Sequence, residues 1–171
     1  ILVVGTVAFD AVETPFGKTD RIIGGAATYI CLSSSFFNNK INLVSVVGED
    51  FPDSAIEMLK DKKVDVKGLQ IKKGEKTFFW SGKYHENMNN RDTIETQLNV
   101  LENFNPTVPE EFRKSEYLML GNLMPSVQKK VLSQMKRKPK LIVLDTMNYW
   151  MDFYMEDLKE ALKQVDAVSY T

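Results

Sequence analysis

Short apolar runs that alternate with amphipathic helical segments constrain the fold of this chain more than any other feature. The runs are continuously apolar, as in Ile1-Leu2-Val3-Val4, which is typical of strands buried on both faces of a parallel sheet. The predicted strands are residues 1–5, 42–47, 66–71, 117–120, 141–144 and 167–170. The predicted helices are residues 26–37, 53–62, 125–136 and 155–163, with Asp53 as a helix N-cap. This order of elements predicts an α/β fold.

The composition is that of an ordinary globular domain. The chain has 171 residues, of which 43% are hydrophobic and 26% charged, so one domain with a sizeable core is expected. The net charge of −1 gives no electrostatic reason to expect nucleic acid or an anionic membrane as a partner. The apolar runs are shorter than the roughly 18 residues of a transmembrane helix. A single cysteine, Cys31, can form neither an internal disulfide nor a thiolate metal site, and a reducing, cytoplasmic setting is expected.

Both ends of the chain lie in predicted buried strands. Ile1 begins directly inside the first strand, and residues 166–171 form another apolar strand with nothing after it. A parallel strand normally leads into a crossover connection. We therefore expect the chain to be part of a larger protein.

An aspartate and a glycine pair form the most informative candidate site. Asp10 lies just past the first predicted strand, at the edge where open α/β sheets bind ligands. Gly24 and Gly25 open the first predicted helix, where they allow close backbone approach and where the helix start supplies free N–H groups. This combination suits a polyhydroxylated small molecule. The alternatives are structural, with Asp10 as a turn residue and the glycines as a tight connection that places one of them at positive φ.

Two stretches interrupt the alternation of strands and helices. Residues 11–23 are polar and contain Pro15 and Gly17, and residues 76–100 contain an aromatic strand pattern followed by a turn and an alternating segment. The two stretches are predicted to pair into a small antiparallel sheet beside the ligand edge. Such an appendage would serve as a lid or as a contact between two subunits.

Five segments together resemble the amino-terminal half of a ribokinase-like (PfkB) carbohydrate kinase. They keep the family's order and rough spacing, and the resemblance covers nearly all of the chain. They are Gly5-Thr6-Val7-Ala8-Phe9-Asp10, Ile23-Gly24-Gly25-Ala26-Ala27-Thr28-Tyr29, Val46-Val47-Gly48-Glu49-Asp50-Phe51-Pro52, Lys63-Val64-Asp65-Val66 and Leu144-Asp145-Thr146-Met147-Asn148-Tyr149-Trp150. Lys63 stands where the family has a glycine.

The resemblance implies a three-layer α/β/α fold with a mostly parallel sheet and a small β-sheet lid formed by residues 11–23 and 76–100. It implies a kinase that uses ATP and Mg to phosphorylate a hydroxyl of a sugar or a nucleoside, with a homodimer through the lid as a further expectation. The substrate-binding residues implied are Asp10, Gly24, Gly25, Thr28 and Asn122. The glycine pair would also act as a hinge for lid closure.

The chain also departs from the family pattern. Thr28 and Tyr29 stand near the position where members often carry an asparagine that contacts sugar hydroxyls, and Gly121-Asn122 replaces a glutamate of ribokinase itself, which argues against ribose as the substrate. In the family, the Asn-x-x-Glu motif and the glycine-rich anion hole with its aspartate base come after the segments matched here, so the resemblance implies that they would follow residue 171. The resemblance therefore implies that residues 1–171 are a partial domain without the catalytic base or the ATP-binding half, and the isolated segment is expected to be inactive.

The remaining candidates each have a structural alternative. Asn122 is equally suited to a substrate contact and to a turn or cap, and Asp145 suits local turn bonding as well as an indirect role near the phosphates. Phe79, Trp80 and Tyr84 are expected mainly to pack the lid, with one residue on each face able to touch a ligand. The rival functions are a non-catalytic domain that binds a sugar or nucleotide, and an unrelated nucleotide-binding domain that would lack the lid.

No residue pattern predicts a metal site within the chain. The single histidine, His85, lies in a polar turn, which does not favour a general base or a metal ligand. Cys31 lies on the apolar face of the first predicted helix and is expected to be part of the core.

Overall fold

Eleven strands in two sheets and five α-helices make up the part of the chain that the computed structural model describes, residues 1–37 and 40–170. In chain order the strands are β1 (Leu2–Val4), β2 (Ala8–Thr14), β3 (Gly17–Lys18), β4 (Ile22–Gly24), β5 (Ile41–Gly48), β6 (Val64–Lys72), β7 (Phe79–Tyr84), β8 (Arg91–Gln97), β9 (Tyr117–Leu120), β10 (Leu141–Thr146) and β11 (Ala167–Tyr170). The helices are α1 (Ala26–Ser35), α2 (Asp53–Asp61), α3 (Pro125–Gln134), α4 (Asn148–Phe153) and α5 (Met155–Leu162).

The large sheet is parallel and has the order β11-β10-β9-β1-β5-β6. Successive side chains of its central strands enter opposite layers, because side chains alternate along a strand. Leu2 packs in one core with Val131 of α3 and Leu158 of α5, whereas Val3 packs in a second core with Leu59 of α2. Helices therefore cover both faces, which confirms the predicted three-layer α/β/α arrangement.

The strand order reverses at β1, which places a ligand crevice there. The chain proceeds from β1 to β5 and β6 on one side and returns to build β9, β10 and β11 on the other. In open α/β sheets, ligands bind outside the carboxyl ends of the strands at such a switch point. The segments that follow β1 and β9 border this crevice, and they contain Asp10 and Asn122.

The small sheet stands where the lid was predicted, but its central pairing differs from the prediction. Its order is β3-β2-β7-β8, with β4 also paired to β2. The pairing of β2 with β7 is parallel, whereas the remaining pairs are antiparallel. The parallel pair arises because β2 follows β1 and β7 follows β6, so both leave the same edge of the large sheet in the same direction. The strands that follow each of them and return, β3 and β4 after β2 and β8 after β7, run antiparallel to them.

The predicted strands and helices are all present, and the differences concern a helix cap, one additional helix and the burial of β11. Asp53 is the first residue of α2 rather than its cap, since Pro52 occupies the cap position without a side-chain bond. Helix α4 was not predicted as a helix. Within the described residues, β11 forms one edge of the large sheet and leaves Val168 (53%) and Tyr170 (62%) exposed, whereas the sequence predicts a buried strand. Thr171, which was included in that predicted strand, lies outside the described residues.

None of the helices in the described part of the chain combines the length and the apolar character needed to cross a lipid bilayer.

Cys31 is buried in the core as predicted, and this burial raises the pKa of its thiol to about 12.

Lys63 stores local backbone strain that a single substitution can release. It follows α2 with a φ of 62°, and its N–H donates to the Lys60 carbonyl at 2.8 Å. A side chain in this left-handed conformation costs about 1 kcal/mol, which glycine avoids. Lys63→Gly is therefore expected to raise the free energy of unfolding by about 1 kcal/mol, measured by urea denaturation.

The neighbouring lysine provides the matched control for that substitution. Lys62 has the same charge but a φ of −83°, so Lys62→Gly releases no strain and is expected to lower stability by a few tenths to about 1 kcal/mol. Equal effects of the two substitutions would contradict the assignment of strain to Lys63.

Candidate functional site

Asp10 lies within a strand of the small sheet rather than in a loop after the first strand. It is the third residue of β2, opposite Ile22 of β4 on one side and Trp80 of β7 on the other. The prediction placed it at the carboxyl edge of β1, and the chain there makes only a short connection before it enters β2. The carboxylate is consequently held by two flanking strands, which restrict its position more than a loop would.

Gly24 leaves the space that the Asp10 carboxyl group occupies. A β-carbon at position 24 would lie 2.0 Å from Oδ2 and 2.3 Å from Cγ of Asp10. Gly24 is buried and directly opposite Ala8 in the pairing of β2 with β4. Only glycine allows the carboxyl group to lie over the backbone at this point.

Gly25 has the positive φ that the structural alternative assigned to one residue of the pair. Its φ is 91°, and a β-carbon there would lie 2.4 Å from the Thr6 carbonyl oxygen. Both the conformation and the close approach to the backbone therefore require glycine. Gly25 is the cap residue of α1, so this backbone geometry sets the direction in which the helix begins.

The start of α1 is already bonded within the chain, which corrects the expectation of free N–H groups. The Ala26 N–H donates to the Thr6 hydroxyl and the Ala27 N–H to the Thr6 carbonyl, both at 2.9 Å. Thr28 is 1% exposed, and its hydroxyl donates to the Gly24 carbonyl at 2.7 Å. Thr6 and Thr28 thus hold the glycine pair in place, and the geometry gives Thr28 a positioning contact in place of an open hydroxyl.

Two opposing effects set the ionisation of Asp10. Partial burial desolvates the carboxylate and raises its pKa above the ordinary value, while a hydrogen bond from the Gly25 N–H lowers it. One backbone donor leaves most of the acceptor sites of an ionised carboxylate available. A pair of hydroxyl groups is a chemically suitable partner, because hydroxyl bonds to a carboxylate are charge-assisted.

Asn122 borders the same crevice from the side of β9. The preceding Gly121 packs closely on the start of α1, since a β-carbon there would lie 3.4 Å from that of Ala26. The Trp150 indole N–H donates to Oδ1 of Asn122 at 2.6 Å, and the Asn122 amide donates to Sδ of Met147 at 3.0 Å. These bonds tie the asparagine to α4 and orient its amide, and they leave one amide proton for a further acceptor.

A network that was not predicted anchors the small sheet to the end of β5. The backbone N–H and the hydroxyl of Thr77 both donate to Oδ1 of Asp50 at 2.7 Å, and the Gly48 N–H donates to the Thr77 hydroxyl at 3.0 Å. Arg21 donates to Oδ2 of Asp50 at 2.6 Å and lies over the Phe9 ring at 3.7 Å. Desolvation raises the pKa of Asp50, but the bonds from Thr77 and Arg21 outweigh it and hold the pKa below the ordinary value.

This network explains why the Gly-x-Asp sequence stands at the end of β5. The aspartate collects donors from the entrance to β7 and from the segment before β4, so it joins both lid stretches to the large sheet. The Gly-x-Asp motif was the available signal, but its partners are 27 and 29 residues away in the sequence.

Asp145 is buried at the carboxyl end of β10 and keeps an unused acceptor. Its exposed fraction is 7%, and Oδ1 has no hydrogen-bond partner among the described residues. Burial raises the pKa of this carboxyl group, against hydrogen bonds from Ser169 and from the Thr146 N–H. The side chain of Gln128 donates to the Gly121 and Asp145 carbonyls at 3.0 Å and so ties β9 to β10.

Residues 1–37 and 40–170 contain no group of three or more histidine, cysteine, aspartate or glutamate side chains arranged to hold a metal ion. His85 is exposed and pairs with Asp92 at 2.9 Å. Mg²⁺ in phosphoryl-transfer sites is held by one or two carboxylates together with substrate phosphates and water, and Asp145 is a single carboxylate. The described residues therefore do not form a magnesium site by themselves.

A cavity of about 490 Å³ lies on the face of the small sheet opposite to Asp10. Ala11, Phe79 and Gln97 line it, and these residues alternate with Asp10, Trp80 and Thr96 along their strands. Phe79 packs against the core beside α2, as expected for most of the predicted aromatic residues. The cavity is therefore separate from the site formed by Asp10 and the glycine pair.

Comparison with known proteins finds kinases of one structural family. The chain is 27% identical over 172 residues to the cytidine kinase of Thermococcus kodakarensis, which covers 98% of this chain and 60% of that protein. The fold matches a sugar kinase of Pyrococcus horikoshii with a TM-score of 0.75 and 19% identity, over 98% of this chain and 64% of that one. It also matches the Methanocaldococcus jannaschii nucleoside kinase, an archaeal member of the ribokinase family, with a TM-score of 0.67 and 17% identity, over 99% and 69% of the two chains.

No family model matches the chain. The chain spans 60% of the length of the curated relative. The structural matches include both sheets, since they cover nearly all of the chain.

Proposed function

We propose that this chain binds the acceptor of a phosphoryl transfer. Its ribokinase-like fold is confirmed by the structural matches, and its resemblance to PfkB carbohydrate kinases is supported by its cytidine kinase relative. The complete protein would transfer the γ-phosphate of ATP to a hydroxyl of a sugar or a nucleoside. Residues 1–171 would form the acceptor-binding part, and the aspartate base and the ATP-binding residues would lie in further sequence.

The observation that carries this proposal is the position of the Asp10 carboxylate. The carboxylate lies over Gly24 and accepts a hydrogen bond from the Gly25 N–H. Asp10 belongs to the small sheet, next to the point where the strand order of the large sheet reverses. A carboxylate held in this way can accept hydrogen bonds from two adjacent hydroxyls and fix the orientation of a third toward the phosphate donor. Phosphoryl transfer depends mainly on such positioning and on electrostatic stabilisation.

Four residues of the site have distinct roles in the proposed function. Asp10 binds acceptor hydroxyls, and the Gly25 N–H fixes the carboxylate. Thr28 holds the Gly24 carbonyl through a buried bond and so acts as a positioning residue. Asn122 offers an amide from the opposite side of the crevice, oriented by Trp150. The small sheet excludes water from the acceptor hydroxyls.

The residues that would bind the phosphate donor are not among residues 1–171. ATP would supply the phosphate, and Mg²⁺ would neutralise the developing charge on the phosphate oxygens when bound. The described residues do not form a Mg²⁺ site by themselves, so their part in the reaction is to bind and orient the acceptor. We further propose that the protein is located in the cytoplasm. A homodimer through the small sheet also stays a prediction.

The test is an ADP-release assay with the purified full-length protein and a panel of sugars and nucleosides. We expect ATP-dependent phosphorylation of at least one acceptor, confirmed by the mass of the product. The isolated segment 1–171 should bind that acceptor without releasing ADP. Acceptor binding by the full-length protein without any transfer would instead support a non-catalytic binding domain.

A further inference from the structure

Gln128 of α3 joins the carboxyl ends of β9 and β10 with its side chain. The exposed fraction of the residue is 1%. Its amide nitrogen donates to the Gly121 carbonyl and to the Asp145 carbonyl, both at 3.0 Å. The last register pair of the two strands is Leu120 with Leu144, so Gly121 and Asp145 are the next residues on each strand. The glutamine therefore connects the strand ends where their direct pairing stops.

The two carbonyls also fix the orientation of the Gln128 amide. An amide nitrogen carries two donor protons, and both are used here. Oε1 is buried and has no hydrogen-bond partner among the described residues. The reversed amide would place this oxygen against two carbonyl oxygens, neither of which can donate. Position 128 thus depends on donors, which an apolar side chain of similar size lacks.

Gly121 links the bonds of Gln128 to the crevice. Its N–H donates to the Val4 carbonyl of β1 at 2.6 Å. A β-carbon at position 121 would lie 3.2 Å from the Val4 carbonyl oxygen and 3.4 Å from the β-carbon of Ala26, the first residue of α1. The Gly121 backbone is therefore held between β1, the start of α1 and Gln128, and the residue that follows it is Asn122.

We propose that Gln128 is a positioning residue for the acceptor site, because its bonds hold the backbone from which Asn122 enters the crevice. This inference rests on the proposed function and adds to it a residue that does not contact the acceptor itself. Trp150 orients the side chain of Asn122 through the indole N–H. Gln128 acts one step earlier, on the carbonyl that immediately precedes Asn122.

Loss of the Gln128 donors has a local consequence at these strand ends. Two buried carbonyls would lose their partners together, and a buried carbonyl without a partner is unfavourable, so the strand ends must shift toward other donors. Such a shift moves Asn122 relative to Asp10 on the other side of the crevice. Misplacement of a substrate-positioning group by about 1 Å can lower a rate about a hundredfold.

A double-mutant cycle in the full-length protein tests the positioning role. Gln128→Met keeps the length of the side chain and removes both donors, and Asn122→Ala removes the group that is positioned. We expect Gln128→Met to lower kcat/KM for the best acceptor about tenfold in the wild type and less than about twofold in Asn122→Ala. Equal losses in the two backgrounds would overturn the proposal, and so would an Asn122→Ala protein with the kcat/KM of the wild type.

Gln134 provides the matched control in the same helix. Its side chain donates to the Pro106 carbonyl at 3.0 Å and accepts the Val108 N–H at 2.9 Å, away from the crevice. Gln134→Met also removes backbone bonds, but it should leave kcat/KM unchanged. If Gln128→Met does not fold, Gln128→Asn takes its place in the cycle, since it keeps the amide on a shorter side chain and is expected to show the same dependence on Asn122.

Amide hydrogen exchange separates failure of this inference from failure of the proposed function. Exchange of the segment that contains Gly121 and Asn122 should be faster in Gln128→Met than in the wild type and unchanged in Gln134→Met. If the wild-type protein phosphorylates no acceptor, the kinase assignment fails, and the exchange still decides whether Gln128 holds the end of β9. If the wild type is active and Gln128→Met exchanges faster without any loss of kcat/KM, the kinase assignment stands and the positioning role is wrong.

Discussion

Replacing Asp10 by asparagine is expected to lower kcat/KM for the acceptor by at least about a hundredfold. Each hydrogen bond from an acceptor hydroxyl to the carboxylate contributes about 1.5 kcal/mol or more, and two such bonds are lost or weakened together. The asparagine has nearly the same shape but is uncharged and offers one acceptor oxygen in place of two. The measurement is steady-state phosphorylation of the best acceptor by the full-length protein.

The same substitution is not expected to destabilise the fold. Because burial raises the pKa of Asp10, the folded state disfavours the ionised carboxylate relative to the unfolded chain. The group therefore costs stability once the pH exceeds its folded-state pKa, and this cost disappears as the pH falls below the unfolded value. Asp10→Asn should consequently unfold at the same urea concentration as the wild type, or at a slightly higher one, at pH 7. Joint loss of stability and activity would show that Asp10 has a structural role.

The raised pKa also predicts how acceptor binding depends on pH. Binding needs the ionised carboxylate, so affinity should fall as the pH is lowered through a pKa above that of an ordinary aspartate. Asp20→Asn is the matched control, since Asp20 is an exposed aspartate of the same region that lines the opposite face of the small sheet. It should change neither kcat/KM nor its pH profile.

Replacing Gly25 by alanine is expected to lower the free energy of unfolding by at least about 2 kcal/mol. The φ of 91° costs a non-glycine residue energy by itself, and the new β-carbon would lie 2.4 Å from the Thr6 carbonyl oxygen. Relief of this clash must move the Thr6 carbonyl, which also accepts the Ala27 N–H at the start of α1. The change should be visible in urea denaturation followed by circular dichroism.

Gly17→Ala is the control for that experiment, because a β-carbon at position 17 meets no atom within 4 Å. Its effect on stability should stay within about 0.5 kcal/mol. Gly25→Ala should also weaken acceptor binding, since the Gly25 N–H is bonded to the Asp10 carboxylate. A Gly25→Ala protein as stable as Gly17→Ala would contradict the geometry described for the start of α1.

Much of the fold follows from local sequence patterns. The continuous apolar runs of β1 and β5 predict strands covered on both faces, and α1 and α2 on one side with α3 and α5 on the other provide that cover. The two irregular stretches predict the small sheet, and the glycine pair predicts a positive φ at the start of α1. These features depend on side-chain hydrophobicity and on backbone freedom, which each residue carries wherever it lies in the chain.

The candidate site was predicted only in part. Asp10, Gly24 and Gly25 are brought together as expected, but the bonds of Thr6 to α1 and of Thr28 to Gly24 were not predicted. A threonine that caps a helix 20 residues away gives no local signal, because such bonds depend on how the connected segments return to one another. The same holds for the bonds between Asp50 and its partners at Arg21 and Thr77.

The sequence by itself determined the α/β layering and the presence of a small sheet, because hydrophobic periodicity acts locally, whereas the structure shows which glycine of the pair has the positive φ. Only the tertiary structure decided that β2 pairs in parallel with β7, with Trp80 as the register partner of Asp10. That outcome depends on two strands leaving the same edge of the large sheet, and the register between segments about 70 residues apart is set by packing that no local pattern records.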